Sequence, residues 1–95
     1  MSNKTLFADN AELCAMITIR AIEITKAGKY HVFTEYAGHV DLFHVRVLRA
    51  DQVYSDSVDH VRLYAGECYL NRDAAADQLR SMLATLGVFA QESAA

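Results

Sequence analysis

At 95 residues, with 53% hydrophobic and 22% charged side chains, the chain has the length and composition of one folded domain and not of a disordered segment. Its net charge of −3, nine Lys and Arg against twelve Asp and Glu, speaks against a surface built for phosphate contacts, and the absence of Pro speaks against extended linkers. No stretch reaches the ~18 apolar residues of a membrane span, and the opening ten residues lack the apolar core of a signal peptide, so the expected setting is the cytoplasm with no membrane contact.

The first expected element is a helix from about Ala11 to Ala27. Asp9 or Asn10 offers an N-cap, Glu12 suits the first turn, and Gly28 after Lys26 suits the residue just past the end. Leu13, Met16, Ile17 and Ile24 recur at helical spacing, with Ile19 and Ile22 widening the apolar face. The β-branched residues of Ile17 to Thr25 also fit a strand, and the caps decide for helix. Tyr30 to Tyr36 is rich in strand formers, and Ala37-Gly38-His39 supplies a turn in which Gly38 takes positive φ. Val40 to Arg49 alternates most clearly: Phe43, Val45 and Val47 point one way, His44 and Arg46 the other, and Leu42 and Leu48 share the polar side.

Asp51 to Ser57, polar apart from Val53 and Tyr54, reads as a loop. Val58 to Tyr64 reads as the third strand, with Val61 and Leu63 inward and His60, Arg62 and Tyr64 outward. Past Ala65-Gly66 a short extended piece follows through Cys68-Tyr69-Leu70. A second helix starts near Asn71 to Asp73, with Ala75, Leu79, Met82, Leu83 and Leu86 as its apolar stripe and Gly87-Val88 as its stop. Residues 1–9 and 91–95 are expected to fray. The result is a single α+β domain over residues 1–95, ordered α-β-β-β-α. Its three-stranded antiparallel sheet carries both helices on one face.

Within that frame, His-Val-Arg occurs twice, as His44-Val45-Arg46 and His60-Val61-Arg62. If Val45 lies opposite Val61, His44 faces Arg62 and Arg46 faces His60 on the uncovered sheet face. Arg and Tyr beside scattered aliphatics is the composition of an interface core. The expected partner-binding surface is therefore His44, Arg46, His60, Arg62, Tyr64 and Leu42, cationic and suited to an acidic surface, phosphate or carboxylate. An ordinary solvated sheet face accounts for the same residues.

Other chemistries have weaker footing. His39, His44 and His60 with Asp41, Asp59 or Cys68 show no recognisable metal-ligand spacing. Cys14 and Cys68 lack a Cys-x-x-Cys spacing and read as reduced, partly buried thiols. Neither Cys14 nor Cys68 with His60 has a supporting nucleophile motif. Paired catalytic carboxylates and Gly-rich phosphate loops are absent, so neither an enzyme nor a cofactor is expected. Asp51, Asp56, Asp59, Asp73 and Asp77 could imitate nucleic acid against a basic partner, though −3 is a small charge for that role.

The α-β-β-β-α order resembles the double-stranded-RNA-binding domain, which grips phosphates with a Lys-rich segment at the start of its second helix. Here the equivalent stretch, Asn71-Arg72-Asp73-Ala74-Ala75-Ala76-Asp77, has one cation and two acids, so the resemblance is one of topology and does not imply RNA binding. The hairpin sequence from Val32-Phe33 through Tyr36-Ala37-Gly38-His39-Val40 to Val45-Arg46-Val47 resembles small accessory proteins of bacteriophages and prophages, over about a fifth of the chain. That resemblance implies a compact, non-catalytic protein that binds and blocks a host protein or protein complex, such as an anti-CRISPR-like inhibitor of host defence or an inhibitor of replication. Nucleic-acid binding through the same Arg/His face, or a small homodimeric structural protein, are the alternatives.

Overall fold

A computed structural model describes residues 3–51 and 62–94, with side chains placed for residues 9–51 and 62–94. Helix α1 (Asn3–Ala27) is followed by strands β1 (Tyr30–Ala37), β2 (Leu42–Arg49) and β3 (Tyr64–Tyr69) and helix α2 (Ala75–Ala94). The sheet is antiparallel throughout, in the order β1-β2-β3. Both helices lie on one of its faces, giving the α+β architecture that the sequence pattern predicts.

The core forms where the alternation of the strands meets the stripes of the helices. Val45 and Val47 are fully buried and Phe43 nearly so, together with Cys68 of β3, Ile17 and Ile24 of α1, and Ala75, Leu79, Met82 and Leu86 of α2. Asn10 of α1 bonds the Leu70 carbonyl just ahead of α2, and the Tyr30 hydroxyl just after α1 bonds Glu92 near the end of α2. The helices therefore run side by side in the same direction. Helix α1 ends at Gly28, whose φ of +94° is the left-handed conformation that a helix terminus of this kind requires.

Five features depart from the sequence pattern. Helix α1 begins at Asn3, not at a cap on Asp9 or Asn10; Asn10 lies inside the helix, where it is 7% exposed and its amide nitrogen holds Leu70. Of the expected apolar face of α1, only one side is used. Ile17, Ala21 and Ile24 are buried, whereas Met16, Ile19 and Ile22 are about half exposed. The β1–β2 turn spans 38–41 and places its positive φ at Asp41 (+55°), not at Gly38. Helix α2 does not stop at Gly87 but runs to Ala94. Beyond Gly87, Phe89 packs edge-to-face on Tyr30 at 5.0 Å, Ser93 donates to the Phe89 carbonyl, and the Tyr30 hydroxyl donates to Glu92 at 2.5 Å. The contacts to Tyr30 carry the helix past a residue of poor helix propensity, and α2 continues to Ala94.

The largest departure concerns the third strand. It begins where the expected strand Val58–Tyr64 ends, and it runs through Ala65-Gly66, expected to break it. Residues 58–61 of that expected strand, and the expected loop beyond Asp51, lie outside the described residues. Gly66 sits opposite Val45 on the helix-facing side, where an added Cβ would stand 2.5 Å from the Tyr64 hydroxyl and 3.2 Å from Met82 Cγ. This glycine admits a tyrosine ring and a helix close to the sheet, which is a packing role and not a chain break.

Candidate functional site: the outer sheet face

The pairing register fixes what the outer face presents. Across the strands, one row reads Phe33, Arg46, Ala65; the next reads Glu35, His44, Glu67; the last reads Ala37, Leu42, Tyr69. These residues follow from the two-residue period of each strand, because their neighbours Val32, Val45, Val47 and Cys68 face the core. Neither helix covers these rows: Phe33 is 37% and Tyr69 39% exposed. At the other end the face is closed, since Leu48 is only 3% exposed although it too points away from the helices.

Arg46 is the most constrained charge on the face. Its guanidinium lies 5.2 Å from the centre of the Phe33 ring, and its Nε is buried without a hydrogen-bond partner among the described residues. His44 Nε2 stands 3.3 Å from Glu35 Oε2, and the strand pairing places Glu67 on the other side of the imidazole. A second stacked cation, Arg72, lies 4.9 Å from the Tyr69 ring at the corner where β3 turns toward α2.

Of the six residues predicted for a contact surface, the structure brings together Leu42, His44 and Arg46. His60 lies outside the described residues. Arg62 is exposed but precedes β3, so it does not share a strand row with the other three. Tyr64 points the other way: paired with Val47, it faces the helices and packs against the core, with its hydroxyl toward Thr85. Burial raises the Tyr64 phenol above its ordinary pKa, and the bond to Thr85 opposes the shift. The supposed pairing of Val45 with Val61 is replaced by Val45 with Gly66, which substitutes Ala65 and Glu67 for His60 and Arg62. The face therefore carries two carboxylates around one imidazole, with Arg46 stacked on Phe33 and Arg72 stacked on Tyr69 at its corner. It is mixed in charge, not a cationic patch.

Sequence reasoning passed over Phe33, Glu35, Glu67 and Tyr69. The signal for the first two was available, since Phe33 and Glu35 alternate with Val32 and Thr34. The signal for the last two depended on the register of β3, which the repeated tripeptide obscured.

The remaining chemistry is limited. Burial, reinforced by Cys68 and then Asp41, pushes the Cys14 thiol up to about 11, and burial followed by Asp41 raises Cys68 as well. Both thiols are held protonated at neutral pH, which is the wrong direction for a nucleophile. Among the described residues, no group of three or more His, Cys, Asp and Glu is placed to hold a metal ion, and no helix is long and apolar enough to cross a membrane. Compared with known proteins, the chain matches no protein-family model, and neither a curated protein nor a solved structure matches it.

Proposed function

We propose that this chain is a non-catalytic protein-binding domain that docks a partner protein on its outer sheet face, as a phage-type inhibitor of a host defence or replication complex would. The observation that supports this reading is the composition of the outer rows: Leu42 and Tyr69 beside Arg46, Glu35, His44 and Glu67. Aromatic and Arg anchors with a polar surround are the ingredients of a contact surface, and a pre-ordered sheet presents them at low entropic cost. With Glu35 and Glu67 flanking His44, the face favours a partner surface that offers basic and apolar groups together. The same carboxylates weigh against nucleic acid as its ligand.

The test is a nuclease-treated pull-down comparing the wild type with Glu67→Lys/Tyr69→Glu, both exposed positions, with circular dichroism confirming that the variant folds. A discrete protein retained by the wild type and lost by the folded variant is the expected result. Equal retention by both would overturn the assignment of this face. Loss of the retained protein on nuclease treatment alone would shift the ligand to nucleic acid.

A second reading, self-association, has its own observation. Met16, Ile19 and Ile22 are 47%, 58% and 55% exposed and follow one another at three-residue spacing along α1. Monomeric proteins rarely leave such a stripe uncovered. A homodimer through α1 is expected to dissociate in Ile19→Glu, read by light scattering on a sizing column; a wild type that is monomeric at high concentration excludes it.

A further inference from the structure

Helix α1 turns one side to the core and an unusually apolar side away from it. Ile17, Ala21 and Ile24 are buried, whereas Ile19 is 58% exposed, the largest exposure of any large apolar side chain among the described residues. At 100° per residue, Ile19 stands about 140–160° round the helix axis from those three, and so points almost directly away from the core.

The charges on this outer side have a symmetry of their own. Seven residues to either side of Ile19, a little under two turns, stand Glu12 and Lys26, both exposed. Ala15 and Ile22 lie between them and are exposed too. Glu12, Ala15, Ile19, Ile22 and Lys26 therefore follow the alternating three- and four-residue steps of a coiled-coil seam, and Met16 widens it. The seam is apolar at its centre, acidic at one end and basic at the other.

Such a seam complements itself in one orientation. Laid parallel on a second α1, it sets Glu12 against Glu12 and Lys26 against Lys26 of the partner subunit, which is unfavourable at both ends. Laid antiparallel about a two-fold axis at Ile19, it stacks Ile19 on the partner's Ile19 and Met16 on the partner's Ile22. Both ends then join Glu12 to the partner's Lys26. A three-residue slip that pairs Met16 with the partner's Ile19 would set Glu12 against the partner's Glu23. The opposite slip, pairing Ile19 with the partner's Ile22, would leave Lys26 facing the partner's Ala15.

We infer that α1 pairs with α1 of a second copy of this chain, antiparallel and centred on Ile19, with Glu12 of each copy against Lys26 of the other. The inference rests on the self-association reading given above and adds its orientation and register. The paired seam is roughly 21 Å long, and a single helix pair of that length buries less than a standard interface. The dimer is accordingly expected to depend on concentration. Because both helices lie on the other side of the sheet, pairing through α1 leaves the two outer sheet faces open.

Sedimentation equilibrium of the full-length protein over a range of concentrations tests this, with circular dichroism confirming that each variant folds. The wild type is compared with Glu12→Lys, with Lys26→Glu and with the two substitutions combined. In the antiparallel pair each single substitution turns both end contacts into like-charge pairs, and association should weaken about tenfold. Combining them restores opposite charges and should recover the wild-type association. A parallel pair would behave otherwise, since Glu12→Lys only exchanges one like-charge contact for another. A wild-type dimer that both single substitutions leave unchanged, or a combined variant as weak as the single ones, would overturn the antiparallel register. Dissociation by Ile19→Glu would in that case still place the contact on α1. A wild type that stays monomeric, or a dimer that survives Ile19→Glu, would overturn the register and the self-association through α1 together.

Discussion

Gly66 offers the sharpest test of how the sheet is packed, because one added methyl group interrogates β3, Tyr64 and α2 together. In Gly66→Ala the new Cβ would lie 2.5 Å from the Tyr64 hydroxyl oxygen, 3.0 Å from Tyr64 Cζ and 3.2 Å from Met82 Cγ, when ordinary contact begins near 3.4 Å. Relief requires the phenol ring to swing by about 1 Å, away from Thr85 and off the core. Overpacking of this kind costs about 1–3 kcal/mol. Opposing it, alanine is better than glycine in a strand by roughly 0.5–1 kcal/mol. The clash wins, and the net expectation is a loss of about 1 kcal/mol. In a Tyr64→Ala background only the Met82 contact remains, so the same substitution should become neutral or slightly stabilising. The coupling between the two positions should therefore be about 1–2 kcal/mol. Urea unfolding of the four proteins, compared at constant m, measures it directly. If Gly66→Ala is as stable as the wild type and shows no coupling to Tyr64, then Tyr64 does not lie over Gly66. Its removal from the outer-face surface would then be mistaken.

Three further outcomes follow from the buried thiol and the Tyr30–Glu92 bond. With its pKa near 11, raised first by burial, Cys14 should react with iodoacetamide at pH 8 about 100-fold more slowly than a free cysteine of pKa 9.0, as read by peptide mass spectrometry. The raised pKa also means that the protonated thiol stabilises the fold fully below about pH 9, and that this contribution is lost as pH rises through about 11; native alkylation as fast as that of the unfolded chain would contradict both. Tyr30→Phe should lower the urea midpoint through loss of the bond to Glu92, and a variant with an unchanged midpoint would show that this bond does not hold the end of α2.

Local chemistry made much of the architecture legible. The Phe43-Val45-Val47 alternation marks β2, and the spacing of Ala75, Leu79, Met82 and Leu86 marks the buried stripe of α2. What stayed hidden was set by contacts distant in sequence. Asn10 looks like a helix cap until Leu70, sixty residues away, is seen to occupy its side chain. Gly66 and Gly87 look like breaks until Tyr64 lies across one and the Tyr30–Glu92 bond lies beyond the other. On the candidate face, Leu42, His44 and Arg46 could be read from one strand alone. Their cross-strand neighbours could not, because a change of register replaces His60 and Arg62 with Ala65 and Glu67.

The side-by-side helices also bear on how the chain is made. Helix α1 leaves the ribosome before the sheet and α2, yet Ile17 and Ile24 are covered in part by α2, which follows the other elements of the fold. The two clasps that join these ends span 60 and 62 residues. At a synthesis rate of about 5–20 residues per second, that separation amounts to about 3–12 s. Throughout that interval the nascent α1 shows apolar side chains on opposite sides, Ile17 and Ile24 on one and Met16, Ile19 and Ile22 on the other. The β1–β2 hairpin, whose contacts are local, can assemble during the wait, whereas the layered domain closes only after α2 emerges. A growing chain of this kind is a natural client for chaperones, and cellular yield should respond more to their supply than the small size of the finished domain suggests.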